Sequence, residues 1–226
     1  MLVYGKNVAK EVIGVKKIKT AYIYKDILDK DILNSLNNIN CKIKYVERKY
    51  LDKMIDGLHQ GIVLDIEDYK YFNIEDINED LIVILDHLED PHNFGAIIRT
   101  CEAAGIKSII IPKDRSVEVN GTVYKTSVGT LSKVKIIQVT NLVNTINYLK
   151  KQGFWIVGTD MQGEDYKKIN YDGKTAIVIG NEGSGISRLV YDNCDFIASI
   201  KMNGEVNSLN ASVAAGIIIF EAIRGK

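Results

Sequence analysis

From residue 81 onward the chain alternates a short run of β-branched and other apolar residues with a longer segment of helical spacing. LIVILDHL at 81–88, SIIIP at 108–112, KVKIIQV at 133–139, FWIVGT at 154–159, TAIVIG at 175–180 and FIASI at 196–200 are the apolar runs. Helices are predicted between them over about 92–104, 118–131, 141–152 and 186–193, and after the last over 209–224. Strands that stay apolar without alternating must be covered on both faces, and interleaved helices supply that cover. The pattern therefore predicts an α/β fold with a mostly parallel sheet. In such sheets, ligands bind outside the carboxyl ends of the strands.

A smaller α/β unit is predicted ahead of it. AYIYK at 21–25, KIKYVE at 42–47 and QGIVLDI at 60–66 have strand character, and helical patterns fall near 6–14, 27–37 and 50–57. The acid-rich stretch DIEDYKYFNIEDINED at 65–80 separates the two regions, giving a domain over 1–66, a linker over 67–80 and a second domain over 81–226.

Charge sums to zero over the 226 residues, but unevenly. Residues 1–60 carry 12 basic and 7 acidic side chains, 61–92 carry 1 and 10, and 93–226 carry 16 and 12, so two mildly basic blocks flank an acidic connector. With 46% hydrophobic residues there is enough apolar material for a core, which excludes a disordered chain. The longest apolar stretch, Val213–Phe220, is far short of the roughly 20 residues that span a bilayer, so no membrane association is expected. Cys41, Cys101 and Cys194 form no CxxC pair and suggest a reducing, cytoplasmic compartment.

Polar residues cluster at three strand ends. The first cluster, Asp86–Gly95, leads into a helix that carries Arg99, with Asp90 or Asn93 as candidate caps. His87 and His92 lack an accompanying acid in a ligand pattern, so no metal is expected. The second cluster is GNEGSGIS at 180–187. Gly180 and Gly185 have the spacing of a Walker A loop, but Ile186 stands where its lysine belongs. Gly183 and Gly185 match a dinucleotide fingerprint whose third glycine is here Arg188. The third cluster, MNGEVNSLNAS at 202–212, enters the last helix, with Asn207 or Ser208 as expected cap. Leu209, Val213, Ile217 and Phe220 form one helical stripe there, expected to be core.

Taken together, DPHNFGAIIRTCEAAGI (90–106), IVIGNEGSGIS (177–187) and SIKMNGEVNSLNASVAAGIIIFEA (199–222) resemble the signature motifs of the SpoU (TrmH-like) RNA ribose 2′-O-methyltransferases of the SPOUT superfamily. The opening VYGKNVAKEVI, with HQGIVL at 59–64, resembles the small substrate-binding domain that many members carry. The resemblance implies a trefoil-knotted methyltransferase domain, a homodimer, and S-adenosylmethionine as methyl donor without a metal. It implies a cofactor pocket around Thr159, Gly163, Gly180, Ile200 and Leu209, and catalytic or supporting positions at Asn93, Arg99, Glu182, Ser208 and Asn210. Lys201 stands where members commonly have proline.

The implied substrate is RNA: a guanosine ribose in 23S-type ribosomal RNA, with transfer RNA, or RNA binding without catalysis, as alternatives. A ribose hydroxyl is a poor nucleophile at neutral pH, so the emerging alkoxide needs stabilising. Arg99, whose guanidinium stays protonated, suits a phosphate clamp better than a base. Lys6, Lys10, Lys16, Lys17 and Lys19 offer a phosphate-contacting patch, with Tyr22, Tyr24 and Tyr45 for stacking.

Overall fold

The computed structural model describes residues 1–27, 29–39, 41–206 and 208–224. It divides into two units, one of residues 1–70 with 119–129 and one of residues 71–118 with 130–226.

In the first unit, β1 (Leu2–Tyr4), α1 (Lys6–Val12), β2 (Ile18–Tyr24), α2 (Lys30–Asn38), β3 (Lys42–Val46), α3 (Arg48–Met54) and β4 (Ile62–Ile66) follow in order. The strands form one mixed sheet, β1-β4-β2-β3, in which only the β2–β3 pair is parallel. Alternate residues Ala21 and Ile23 of β2 are fully buried, which is why this strand shows a two-residue period. β1 was not foreseen, because three residues are too few to display a period.

The second unit starts with β5 (Leu81–Leu85), α4 (Pro91–Ala103) and β6 (Ser108–Pro112). The next helix, α5 (Gly121–Ser127), belongs to the first unit, although its sequence neighbours suggested the second. Gly121 explains the placement, since a Cβ there would run into the Leu2 carbonyl oxygen of β1. Asn120 caps the helix, accepting from the Thr122 and Val123 amides at 3.0 and 3.1 Å. The second unit resumes with β7 (Lys135–Val139), α6 (Leu142–Lys151), β8 (Trp155–Asp165), β9 (Thr175–Ile179), α7 (Arg188–Tyr191), β10 (Phe196–Ser199) and α8 (Ala211–Ala222).

Its six strands form a parallel sheet in the order β10-β8-β9-β5-β6-β7, as the unbroken apolar runs require. Every residue of β5, β6 and β9 is buried. Ile82, Ile84, Ile110, Ile156 and Val178 pack with Ile146 and Leu149 of α6 in one core cluster. Each such side chain contributes about 1.5–3 kcal/mol by leaving water. α4 packs against α8, with Ile97, Ile98, Ile218 and Ile219 all buried.

α8 corrects one expectation. Val213 and Phe220, assigned to the core, are 49% and 51% exposed, whereas Ala211, Ala215, Ile218, Ile219 and Ala222 are the buried residues. The helix is apolar on every side, so periodicity alone could not tell the packed face from the open one. Its cap is Asn210 rather than Ser208; Asn207, the other candidate, lies outside the described residues.

Candidate active site

The turn after β9 is shaped by its glycines. Asn181 and Gly185 exchange two backbone hydrogen bonds of 2.9 Å, closing the loop on itself. A Cβ on Gly180 would collide with the Gly185 and Ile186 backbone, and Gly185 sits at φ 66°, in the left-handed region. Asn181 Oδ1 accepts from the Gly183 amide at 2.9 Å, fixing the tip.

The end of β5 holds both ends of this loop. Asp86, 1% exposed, accepts the Ser187 amide on Oδ2 at 2.6 Å and faces His87 Nδ1 with Oδ1 at 2.5 Å. The His87 carbonyl accepts from Asn181 Nδ2 at 2.8 Å. His87 adopts φ 55°, which a non-glycine residue keeps only where its surroundings enforce it. The sequence offered these residues only as a histidine pair to test for zinc, and so missed the clasp. Among the described residues, no group of three His, Cys, Asp or Glu side chains could hold a metal ion.

Three side chains from the three motifs meet on the other side of the loop. Asp90 caps α4, accepting the His92 and Asn93 amides at 2.9 and 3.3 Å, with Pro91 in the first turn. That cap sets the first turn in which Asn93, 5% exposed, donates from Nδ2 to Glu182 Oε2 at 3.2 Å. Asn210 Nδ2 donates to Asn93 Oδ1 at 3.0 Å and to Glu182 Oε1 at 3.2 Å. Asn210 Oδ1 meanwhile caps α8, accepting from the Ser212 amide at 2.9 Å and the Ser212 hydroxyl at 2.6 Å. One side chain thus starts a helix and ties two motifs together.

Glu182 also lines a cavity of about 290 Å³ at the carboxyl ends of β9 and β10 and beside the middle of β8. One wall comes from a break in the sheet ladder: Ile197 of β10 pairs with Gly158, but Ala198 pairs with Glu164, so residues 159–163 leave the β8–β10 register. Thr159, Asp160 and Met161 of that excursion line the cavity, with Thr159 Oγ1 donating to the Val178 carbonyl at 3.0 Å. The glycine loop forms the second wall; Ala198, Ile200 and Met202, then Ser208, Leu209, Ala211, Ala214 and Ile218, complete it. An apolar floor under a rim of loop residues suits a ligand with a flat apolar part and polar edges.

Of the expected pocket residues, Thr159, Gly180, Ile200 and Leu209 line this cavity, and so do Glu182 and Ser208. Gly163 does not: it faces a neighbouring depression that includes Lys201, and a Cβ there would strike the Ile197 backbone, so its smallness serves the approach of β8 to β10. Asn93 and Asn210 reach the cavity through Glu182. Arg99, exposed on α4, does not line the cavity, and among the described residues its side chain makes no hydrogen bond or ion pair. Asp160, Met161, Asn181 and Met202 were not anticipated, since their part depends on the ladder break and the loop closure.

Comparison with known proteins agrees with this geometry. Residues 80–220 match the model of the SpoU rRNA Methylase family, and residues 2–72 match the model described as RNA 2′-O ribose methyltransferase substrate binding. A Bacillus subtilis protein named for the TrmH family of tRNA/rRNA methyltransferases is 44% identical, covering 80% of this chain and 77% of its own. A Staphylococcus epidermidis protein named for the same family is 40% identical over 99% of this chain and 95% of its own. The crystal structure of an AdoMet-bound rRNA methyltransferase from Sinorhizobium meliloti superposes with a TM-score of 0.81 at 26% identity, covering 99% of this chain and 86% of that one. With a matched model over most of its length and relatives at this identity, the chain belongs to the SpoU rRNA methylase family.

Proposed function

We propose that the protein is an S-adenosylmethionine-dependent RNA methyltransferase that modifies a ribose 2′-hydroxyl, in a guanosine of 23S-type ribosomal RNA. The observation that carries this reading is the link, through Glu182, between the cavity and the Asn93–Asn210 pair.

The cavity fits the cofactor in kind. Ile179, Ile200, Leu209 and Ile218 offer apolar surface for an adenine ring, the glycine-loop backbone offers hydrogen-bonding edges, and the Asp160 and Glu182 carboxylates suit a cationic ligand. When bound, S-adenosylmethionine supplies an electrophilic methyl group on a sulfonium. The chain's own residues then orient the acceptor and support the charge that develops on its oxygen.

Arg99, exposed and unpaired among the described residues, clamps an RNA phosphate and screens the developing oxyanion. Ser208, on the cavity wall, positions the ribose. Asn93, Glu182 and Asn210 bond to one another, which supports a role for them in holding the loop beside the acceptor.

The first unit is the RNA-binding domain in this reading. Val213 and Phe220, exposed on α8, with half-buried Ile217 between them, are apolar surface that a second copy would cover, which favours the homodimer. A knotted chain path and a cytoplasmic setting belong to the same reading. Among the described residues no helix is long and apolar enough to cross a membrane. Relatives named for both tRNA and rRNA favour transfer RNA as the second substrate to test.

The decisive experiment maps ribose methylation across ribosomal and transfer RNA from cells with and without the gene. Loss of one 2′-O-methyl mark in large-subunit ribosomal RNA is expected. A lost tRNA mark would move the substrate, and unchanged ribose methylation in both RNAs would overturn the reading.

A further inference from the structure

We propose that the RNA-gripping surface of the first unit is the β3–α3 corner, where Tyr50 stacks an unpaired base and Lys44, Lys49 and Lys53 hold the flanking phosphates. This rests on the RNA methyltransferase reading and gives its substrate a place on the first unit.

β3 is the edge strand of its sheet, and Lys42 and Lys44 stand exposed on it. Lys44 pairs in register with Tyr22 of β2, and its ammonium lies 5.2 Å from the centre of the Tyr22 ring. Tyr50 of α3 stacks on Tyr22, with centroids 6.1 Å apart and planes at 29°, yet remains 49% exposed. Tyr50 is therefore braced on its Tyr22 side and open to solvent elsewhere.

Leu51, fully buried, packs in one cluster with Tyr22, Val46 and Met54, so the helix that carries Tyr50 is anchored to the sheet. Lys49 and Lys53 lie four residues apart on one face of that helix, beside Tyr50, and both are exposed. The acids of the corner are engaged elsewhere: Glu47 with Lys25 at 2.7 Å, and Asp52 with His59 at 2.9 Å.

The lysines nearer the amino terminus are less free. Lys6 is paired with Asp29 at 3.3 Å, and Lys10 acts on that same carboxylate. Lys19 acts on Asp68, so a phosphate contact there competes with an existing partner. Of the tyrosines first considered for stacking, Tyr22 is covered by Tyr50, Tyr24 is half-buried, and Tyr45 follows Lys44 on the strand and so faces the other side of the sheet.

A braced aromatic ring beside exposed cations matches single-stranded RNA, whose bases stack on aromatic side chains while phosphates meet the lysines. A smooth duplex would present no base to the ring.

The test measures binding of ribosomal RNA transcripts by the full-length protein at several salt concentrations. Tyr50→Leu is expected to weaken binding on the order of tenfold, and Tyr50→Phe to retain wild-type affinity. Lys49→Gln with Lys53→Gln is expected to lower the slope of log affinity against log salt by about 1.4, from about 0.7 per single-strand contact. Lys10→Gln with Lys17→Gln serves as the control and should change affinity less than twofold. S-adenosylmethionine affinity should stay at the wild-type value in every variant, and melting temperature in the lysine variants and Tyr50→Phe. Wild-type RNA affinity and salt slope in the corner variants, or a larger effect of the control pair, would overturn the placement while leaving the enzymatic reading intact. A wild-type protein that binds no RNA would overturn both.

Discussion

Asn210 and Asn93, 117 residues apart in sequence, share a side-chain hydrogen bond of 3.0 Å that joins the first turn of α4 to the cap of α8. Glu182 closes the triangle with bonds of 3.2 Å to each. The three polar strand ends are thus one cluster, and the Glu182 corner faces the cavity.

Asn210→Ala removes both the cap of α8 and the donor to Asn93. Loss of a cap costs about 1 kcal/mol, and a buried acceptor left unpaired costs about 1–3 kcal/mol more. Asn93→Ala should cost a comparable amount, but the double variant should cost less than the sum. A thermodynamic cycle from denaturant melts should give a coupling of about 0.5–3 kcal/mol. Strict additivity would show the contact to be energetically idle.

Asp86→Asn keeps the shape but loses the charge that receives the Ser187 amide and faces His87. Charge-assisted bonds of this kind contribute about 1.5–3 kcal/mol, so a lower melting temperature is expected. Because the loop they clasp walls the cavity, calorimetry should also show weaker S-adenosylmethionine binding. Unchanged cofactor affinity at lowered stability would restrict Asp86 to folding.

Gly180→Ala places a methyl group against the Gly185–Ile186 backbone, which cannot give way as a flexible side chain can. Overpacking of this sort costs about 1–3 kcal/mol, and here it opens the glycine loop, so cofactor affinity should fall with stability. Gly216→Ala on α8 is the comparison, since a Cβ there meets nothing within 4 Å. It should be neutral or slightly stabilising in the same melts.

Burial pushes the Cys194 thiol from 9.0 up to about 12, and raises Cys101 further. Between those values the unfolded chain gives up the Cys194 proton while the folded chain keeps it. The folded state therefore binds more protons, and stability should fall as pH rises from about 9 toward 12, by up to about 1.4 kcal/mol per pH unit for this group. Urea melts of wild type and Cys194→Ala across that range should converge; parallel curves would contradict the assigned cause.

Much of the second unit was legible because its sheet is buried on both faces, which leaves continuous apolar runs such as Leu81–Leu85 and Thr175–Ile179. The polar cluster was legible as three motifs, but not its wiring, since which amide meets which carboxylate depends on the loop closure at Asn181 and Gly185. Val213 and Phe220 were misassigned because a helix with apolar residues on every side carries little facing information. The close approach of Gly163 to the Ile197 backbone of another strand was not legible, since no local pattern reveals it. The attachment of α5 to the first unit rests likewise on Gly121 meeting Leu2.

Arg99 has the most specific role proposed for a side chain with no partner among the described residues. Arg99→Ala should reduce methyl transfer to background while leaving S-adenosylmethionine affinity and melting temperature near wild type. Near-normal turnover in that variant would remove Arg99 from the mechanism.

The most direct measurement is transfer of a labelled methyl group from S-adenosylmethionine to large-subunit ribosomal RNA by the purified protein, followed by alkaline hydrolysis. A 2′-O-methyl group blocks cleavage at its own nucleotide, so the label is expected in an alkali-resistant dinucleotide that begins with guanosine. Label released on a mononucleotide, or no transfer to ribosomal or transfer RNA, would contradict ribose methylation as the function of this chain.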